Sequence, residues 1–144
     1  MEKTDTIKLL QECDAGSKMA VTSIDELMDK ATDSELVELL EESKKHHEKL
    51  GNDLHSMLNH KESDEKEPNP MAKGMSKLKM SFKMGMDDSD SMIAELITDG
   101  CDMGVKSLYK YMNQYEAAEK EAKDICKRLI AIEEELRDKL RKFL

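Results

Sequence analysis

The chain is predicted to fold as a single all-α domain over residues 1–144, a four-helix bundle made of two antiparallel helical hairpins. Three observations predict it. Apolar residues recur at steps of three and four in four separate stretches, the period of one helix face. The composition is poor in rings: aromatics make up 3% of the 144 residues, Trp is absent, and charged residues reach 38%. A core must then come from Leu, Ile, Met and Ala, under outer faces laced with ion pairs. Both prolines, Pro68 and Pro70, lie in one charged stretch between the halves of the chain, which marks a loop. A domain of this length buries roughly 68–70% of the surface its unfolded chain exposes, enough for one modest core.

The first helix is expected over about residues 5–30, with Leu10, Cys13, Ser17, Ala20, Ile24 and Leu27 on one face. A restart follows at Thr32-Asp33-Ser34-Glu35. There Thr32 can accept from the first-turn amides while Glu35 reaches back, the capping-box arrangement. The second helix, about 33–61, carries Leu36, Leu40, Ser43, His47, Leu50, Leu54 and Met57 in one stripe. So short a junction forces the two into an antiparallel hairpin.

Residues 62–89 form a connector. Its first part is loop, and a short amphipathic helix is expected over about 71–84. Met71, Met75, Leu78 and Phe82 share one face of it, and Lys73, Lys77, Lys79 and Lys83 supply four positive charges with no acid among them. Asp87, Asp88, Ser89 and Asp90 then offer a cap with favourable negative charge. The third long helix, about 90–112, carries Ile93, Ile97, Cys101, Gly104, Leu108 and Tyr111, and the fourth, about 116–143, carries Ile125, Leu129, Ile132, Leu136, Leu140 and Phe143. Their turn falls at Asn113-Gln114-Tyr115, which holds neither Gly nor Pro. An unbroken helix in its place would run roughly 80 Å, and only another subunit could cover its stripe.

The pattern Cys-Asp-x-Gly-x-Lys occurs twice, from Cys13 to Lys18 and from Cys101 to Lys106. An internal duplication would explain it, and would place Gly16 and Gly104 where the first and third long helices cross. Absent side chains there would let the backbones come closer than the usual 8–10 Å between axes. The connector is far longer than the two to eight residues usual between neighbouring antiparallel helices, and one long crossover between two hairpins is the ferritin-like arrangement. The chain resembles the small bacterial ferritin-like proteins of unknown function. The resemblance rests on Cys13 to Gly16, on the Asp-Ser-Glu-Leu turn from Asp33 to Leu36, on a connector ending in Asp87-Asp88, and on Cys101 to Gly104. It implies a bacterial protein and carries over no activity.

Composition and motifs exclude several functions. A net charge of −9 repels nucleic-acid phosphates. No apolar run approaches the roughly 18 residues of a membrane span, and three scattered cysteines do not make a secreted disulfide framework, so a cytoplasmic protein is expected. Ferritin-like di-iron sites take Glu-x-x-His from two helices, but Ser43, Lys44, Asn52 and Met57 stand three residues before His46, His47, His55 and His60. No iron or other cofactor is expected. Phosphate loops, nucleophile elbows and spaced catalytic pairs are likewise missing.

His47, on the apolar stripe, is expected to be a neutral core histidine, so that His47→Leu would be neutral or mildly stabilising. His46, His55 and His60 fall on polar faces and are expected to be solvated. An alternative is an atypical metal site drawn from His47, Cys13, Cys101, Asp14 and Asp102, because thiolate and imidazole suit zinc or copper. The connector methionines suit packing or an interface better than copper(I), since adjacent lysines repel a cation. The basic apolar helix also fits a partner-docking or membrane-surface element. The leading expectation is a noncatalytic bundle that binds a protein partner or assembles with itself.

Overall fold

Three of the long helices begin where a polar side chain takes up first-turn amides that have no partner within the helix. Thr4 accepts from Ile7 N at 3.2 Å, Asp33 from Glu35 N and Leu36 N at 2.8 and 3.2 Å, and Ser89 from Met92 N at 3.2 Å. The computed structural model describes residues 3–144, without the side chains of Met71, Ala72, Ser76 and Leu78. Its helices are α1 (Asp5–Met28), α2 (Ser34–His60), α3 (Pro70–Met86), α4 (Asp90–Gln114) and α5 (Lys120–Leu140), followed by a 3-10 turn at Arg141–Phe143. The chain is all-helical as expected, and α4 and α5 are separate helices rather than one long rod.

One cap differs from expectation. Asp33, not Thr32, caps α2, because the Thr32 amide and hydroxyl both donate to the Asp90 carboxylate at 2.9 Å, as does the Asp33 amide. The α1–α2 turn is thereby tied to the start of α4. At the opposite end, the Ala117 amide donates to Asp5, the Glu119 amide to Thr6, and the Lys61 ammonium pairs with Glu119. These ties fix the directions: α1 and α5 run one way and α2 and α4 the other, with α3 returning the chain between the ends. The α1–α2 and α4–α5 hairpins pack against each other through α2 on α5 and α1 on α4.

Two apolar clusters fill the interior. Leu9, Leu10, Leu54, Leu58, Ala122, Ile125 and Leu129 centre one, and Ile24, Leu27, Leu36, Leu40, Ile93, Leu136 and Leu140 the other. Each fully buried Leu or Ile contributes roughly 1.5–3 kcal/mol relative to exposure. The buried polar side chains Ser17, Ser43, His47 and Glu133 belong to neither cluster.

Gly16 and Gly104 do not meet. A methyl group at Gly16 would have Leu129 Cδ2 at 4.0 Å, and one at Gly104 would have Glu133 Cδ at 3.9 Å, so both glycines face α5 at ordinary contact distance. The expected close crossing of backbones is therefore replaced by two roomy sites. Gly16→Ala and Gly104→Ala are each expected to stabilise the fold by about 0.5–1 kcal/mol, through helix propensity alone. Urea unfolding of the two variants measures this, and a loss of stability in either would show that the added methyl does not fit.

Candidate functional site

Three features are not accounted for by packing, and the first is α3. Its inward side is Met84, 5% exposed, and the half-buried Met80, both against the second apolar cluster. Lys79 and Lys83 flank these methionines and pair with Asp99 and Glu95 of α4 at 3.5 Å each, while Lys77 reaches Glu26 of α1 at 3.9 Å. Of the apolar face read from the sequence as Met71, Met75, Leu78 and Phe82, Met75 and Phe82 are turned outward at 66% and 69% exposed, and Met86 is 75% exposed. The Met71 and Leu78 side chains lie outside the described residues. Residues 75, 82 and 86 are spaced seven and four apart, so they lie on one outward face.

The second feature is a buried ion pair. His47 is fully buried on α2, and its two ring nitrogens face two acceptors, Ser43 O at 2.8 Å and Glu133 Oε1 of α5 at 2.9 Å. Burial opposes a charge on the ring, but the Glu133 carboxylate and the Ser43 carbonyl outweigh it and raise the His47 pKa above its ordinary value. The expected core histidine is buried and bonded to the neighbouring helix α5, and the Glu133 carboxylate favours its charged form over the neutral one. Burial and the nearby Glu133 carboxylate push the Cys101 thiol pKa up, which keeps it protonated.

The third feature lies where the connector folds back over α1 and α2. Asp14 of α1 is fully buried, and its Oδ2 accepts from the Lys66 amide at 3.0 Å and pairs with Lys18 Nζ at 3.2 Å. Its Oδ1 stands 2.9 Å from His55 Nε2 of α2, and that nitrogen stands 2.8 Å from Glu65 Oε1 of the connector. Oδ1 and Nε2 are both buried without a hydrogen-bond partner, so their approach is close but not aligned as donor and acceptor. His55, expected to be solvated, is partly exposed, but its Nε2 is buried beside two carboxylates.

Of the residues named from sequence, His47 and Cys101 converge on Glu133, and Asp14 joins a group with His55 and Glu65. Among the described residues, Asp14, His55 and Glu65 are the one set of three His, Cys, Asp or Glu side chains able to share an ion. Cys13 is buried in the first cluster, where the thiol of Cys126 and burial raise its pKa. Cys101 sits in the second cluster beside Glu133, and Asp102 is at the surface, paired with Arg137 at 3.3 Å. His55 and Glu65 carried no local signal, because ordinary polar residues on a helix and in a loop become partners only when the loop folds back. No family model, curated protein or solved structure matches the chain. No helix among the described residues is long and apolar enough to cross a membrane.

Proposed function

We propose that the chain is a noncatalytic, ferritin-like four-helix bundle of the bacterial cytoplasm that assembles with copies of itself through α3. The observation that carries this reading is the outward apolar face at Met75, Phe82 and Met86. Large side chains grouped on one exposed helix face mark an interaction surface. Two hairpins joined by a returning connector support the ferritin-like architecture.

Charge points to the occupant. Residues 70–86 carry four lysines and no acid, so that the rest of a chain with net charge −9 carries −13. A second copy therefore brings an acidic surface to a basic, apolar helix, and such complementarity favours association. Two α3 helices facing each other would instead juxtapose like charges. The contact is accordingly α3 of one copy against the acidic body of another.

Sedimentation equilibrium tests this. The wild-type chain is expected to self-associate at micromolar concentration and to loosen as added salt screens the charges. Met75→Asp and Phe82→Asp are expected to stay monomeric with unchanged far-ultraviolet circular dichroism. A wild-type chain that remains monomeric to millimolar concentration overturns self-assembly, and assembly undiminished in Phe82→Asp overturns the role of α3.

A further inference from the structure

We infer that Asp14, His55 and Glu65 form a binding site for one first-row divalent transition-metal ion. The donor set is one imidazole nitrogen and two carboxylate oxygens, a combination that suits manganese, iron, cobalt or zinc. One ligand atom from each of Asp14, His55 and Glu65 lies within 4.8 Å of the other two. Two of the pairs are 2.9 and 2.8 Å apart. Neighbouring ligands about 2.1 Å from an octahedral ion are about 3.0 Å apart, whereas those of a tetrahedral ion are about 3.4 Å apart. The two distances through His55 are nearer the octahedral case, which leaves three positions for water.

Burial supplies the argument that acidity alone cannot. Asp14 is fully buried, yet its Oδ1 has no hydrogen-bond partner, and neither has the buried His55 Nε2. Buried polar atoms without partners are costly, and a shared cation satisfies both at once.

The local charge agrees. Glu12, Asp14, Glu65 and Glu67 bring four negative charges, and Lys66, paired with Glu12, and Lys18, paired with Asp14, Glu65 and Glu67, bring two positive ones. With a neutral imidazole the surroundings carry a net charge of about −2, which one divalent ion neutralises. Lys18 lies 3.2 Å from Glu65 Oε1 and 2.9 Å from Glu67 Oε1. On metal entry it gives up Glu65 and retains Glu67 and the outer oxygen of Asp14. Glu65 is in the connector loop and half exposed, so the few tenths of an ångström needed to admit the ion come from a segment outside the packed helices.

The test uses the full chain, purified without a histidine tag and stripped of metal, and titrated with Co2+, Mn2+ and Zn2+ separately by calorimetry. The visible spectrum of the Co2+ form reports its coordination. One ion per chain is expected, with a weak, octahedral-type cobalt spectrum. His55→Ala and Glu65→Gln are each expected to weaken binding by about 100-fold, while His60→Ala, on the exposed end of α2, leaves it unchanged. Both key variants alter partly exposed side chains, and circular dichroism checks that they fold. If the wild type takes up none of the three ions, the proposal fails. If His55→Ala binds as tightly as the wild type, the ion is adventitious on the acidic surface and the proposal fails equally.

Discussion

His47→Leu is expected to destabilise the protein by about 3–5 kcal/mol, because it leaves the Glu133 carboxylate buried without its cation. Glu133 is 7% exposed and His47 is fully buried, so water cannot replace the lost partner. The neutral or mildly stabilising effect expected from the apolar stripe alone is thereby reversed in sign. Removing both partners is a different experiment. His47→Leu combined with Glu133→Leu is expected to recover most of the loss, since apolar side chains of similar size often replace a buried pair without cost. Urea unfolding of the wild type and the three variants completes a double-mutant cycle. A His47→Leu variant as stable as the wild type would show that the Glu133 carboxylate reaches water or another partner at little cost.

The same pair sets a pH dependence. The folded state holds the His47 proton more tightly than the unfolded chain does. Its contribution to stability is therefore fully present below the unfolded value of about 6.5 and is lost as pH rises through the higher folded value. The urea midpoint of the wild type is expected to fall across that window, and the double leucine variant is expected to lack this component.

Asp90→Ala is expected to cost about 1–2 kcal/mol. The Asp90 carboxylate accepts three hydrogen bonds, from the Thr32 amide, the Thr32 hydroxyl and the Asp33 amide. Hydrogen bonds to a charged group contribute about 1.5–3 kcal/mol each when buried, and exposure of this turn to solvent reduces the total well below their sum. The Thr32 amide first, and then the Thr32 hydroxyl and Asp33 amide, lower the Asp90 pKa. This contribution is thus present above the ordinary carboxylate range and disappears as pH falls through the lowered value. Unfolding followed from pH 6 down to pH 2 should show a shallower acid loss in Asp90→Ala than in the wild type. Identical acid limbs would mean that the hydrogen bonds to Asp90 add nothing to the fold.

Local signals were sufficient for the helices and their ends. The stripes at steps of three and four, the Asp33 and Ser89 regions, and the proline-bearing loop predict helices over about 5–30, 33–61, 90–112 and 116–143. Each matches an observed helix to within a few residues. These features depend on neighbours in sequence, and helix periodicity and capping are interactions among such neighbours. The connector helix shows the limit. Its Met71, Met75, Leu78 and Phe82 stripe and its Met80 and Met84 pair are both apolar, and periodicity does not rank them. Met80 and Met84 turn inward, where Lys79 and Lys83 beside them meet Asp99 and Glu95.

From the sequence alone came the all-helical class, the placement of two hairpins about a long connector, and the absence of a Glu-x-x-His pair, all properties of residue type and spacing. Tertiary structure alone decided that His47 meets Glu133, 86 residues away, and that Glu65 folds back onto Asp14 and His55. It also decided that Gly16 and Gly104 face α5 instead of each other. The physical reason is common to all three. A carboxylate or an imidazole has the same sequence signature whether solvated or buried, and its charge, its partner and its cost are set only when distant helices and loops exclude water from it.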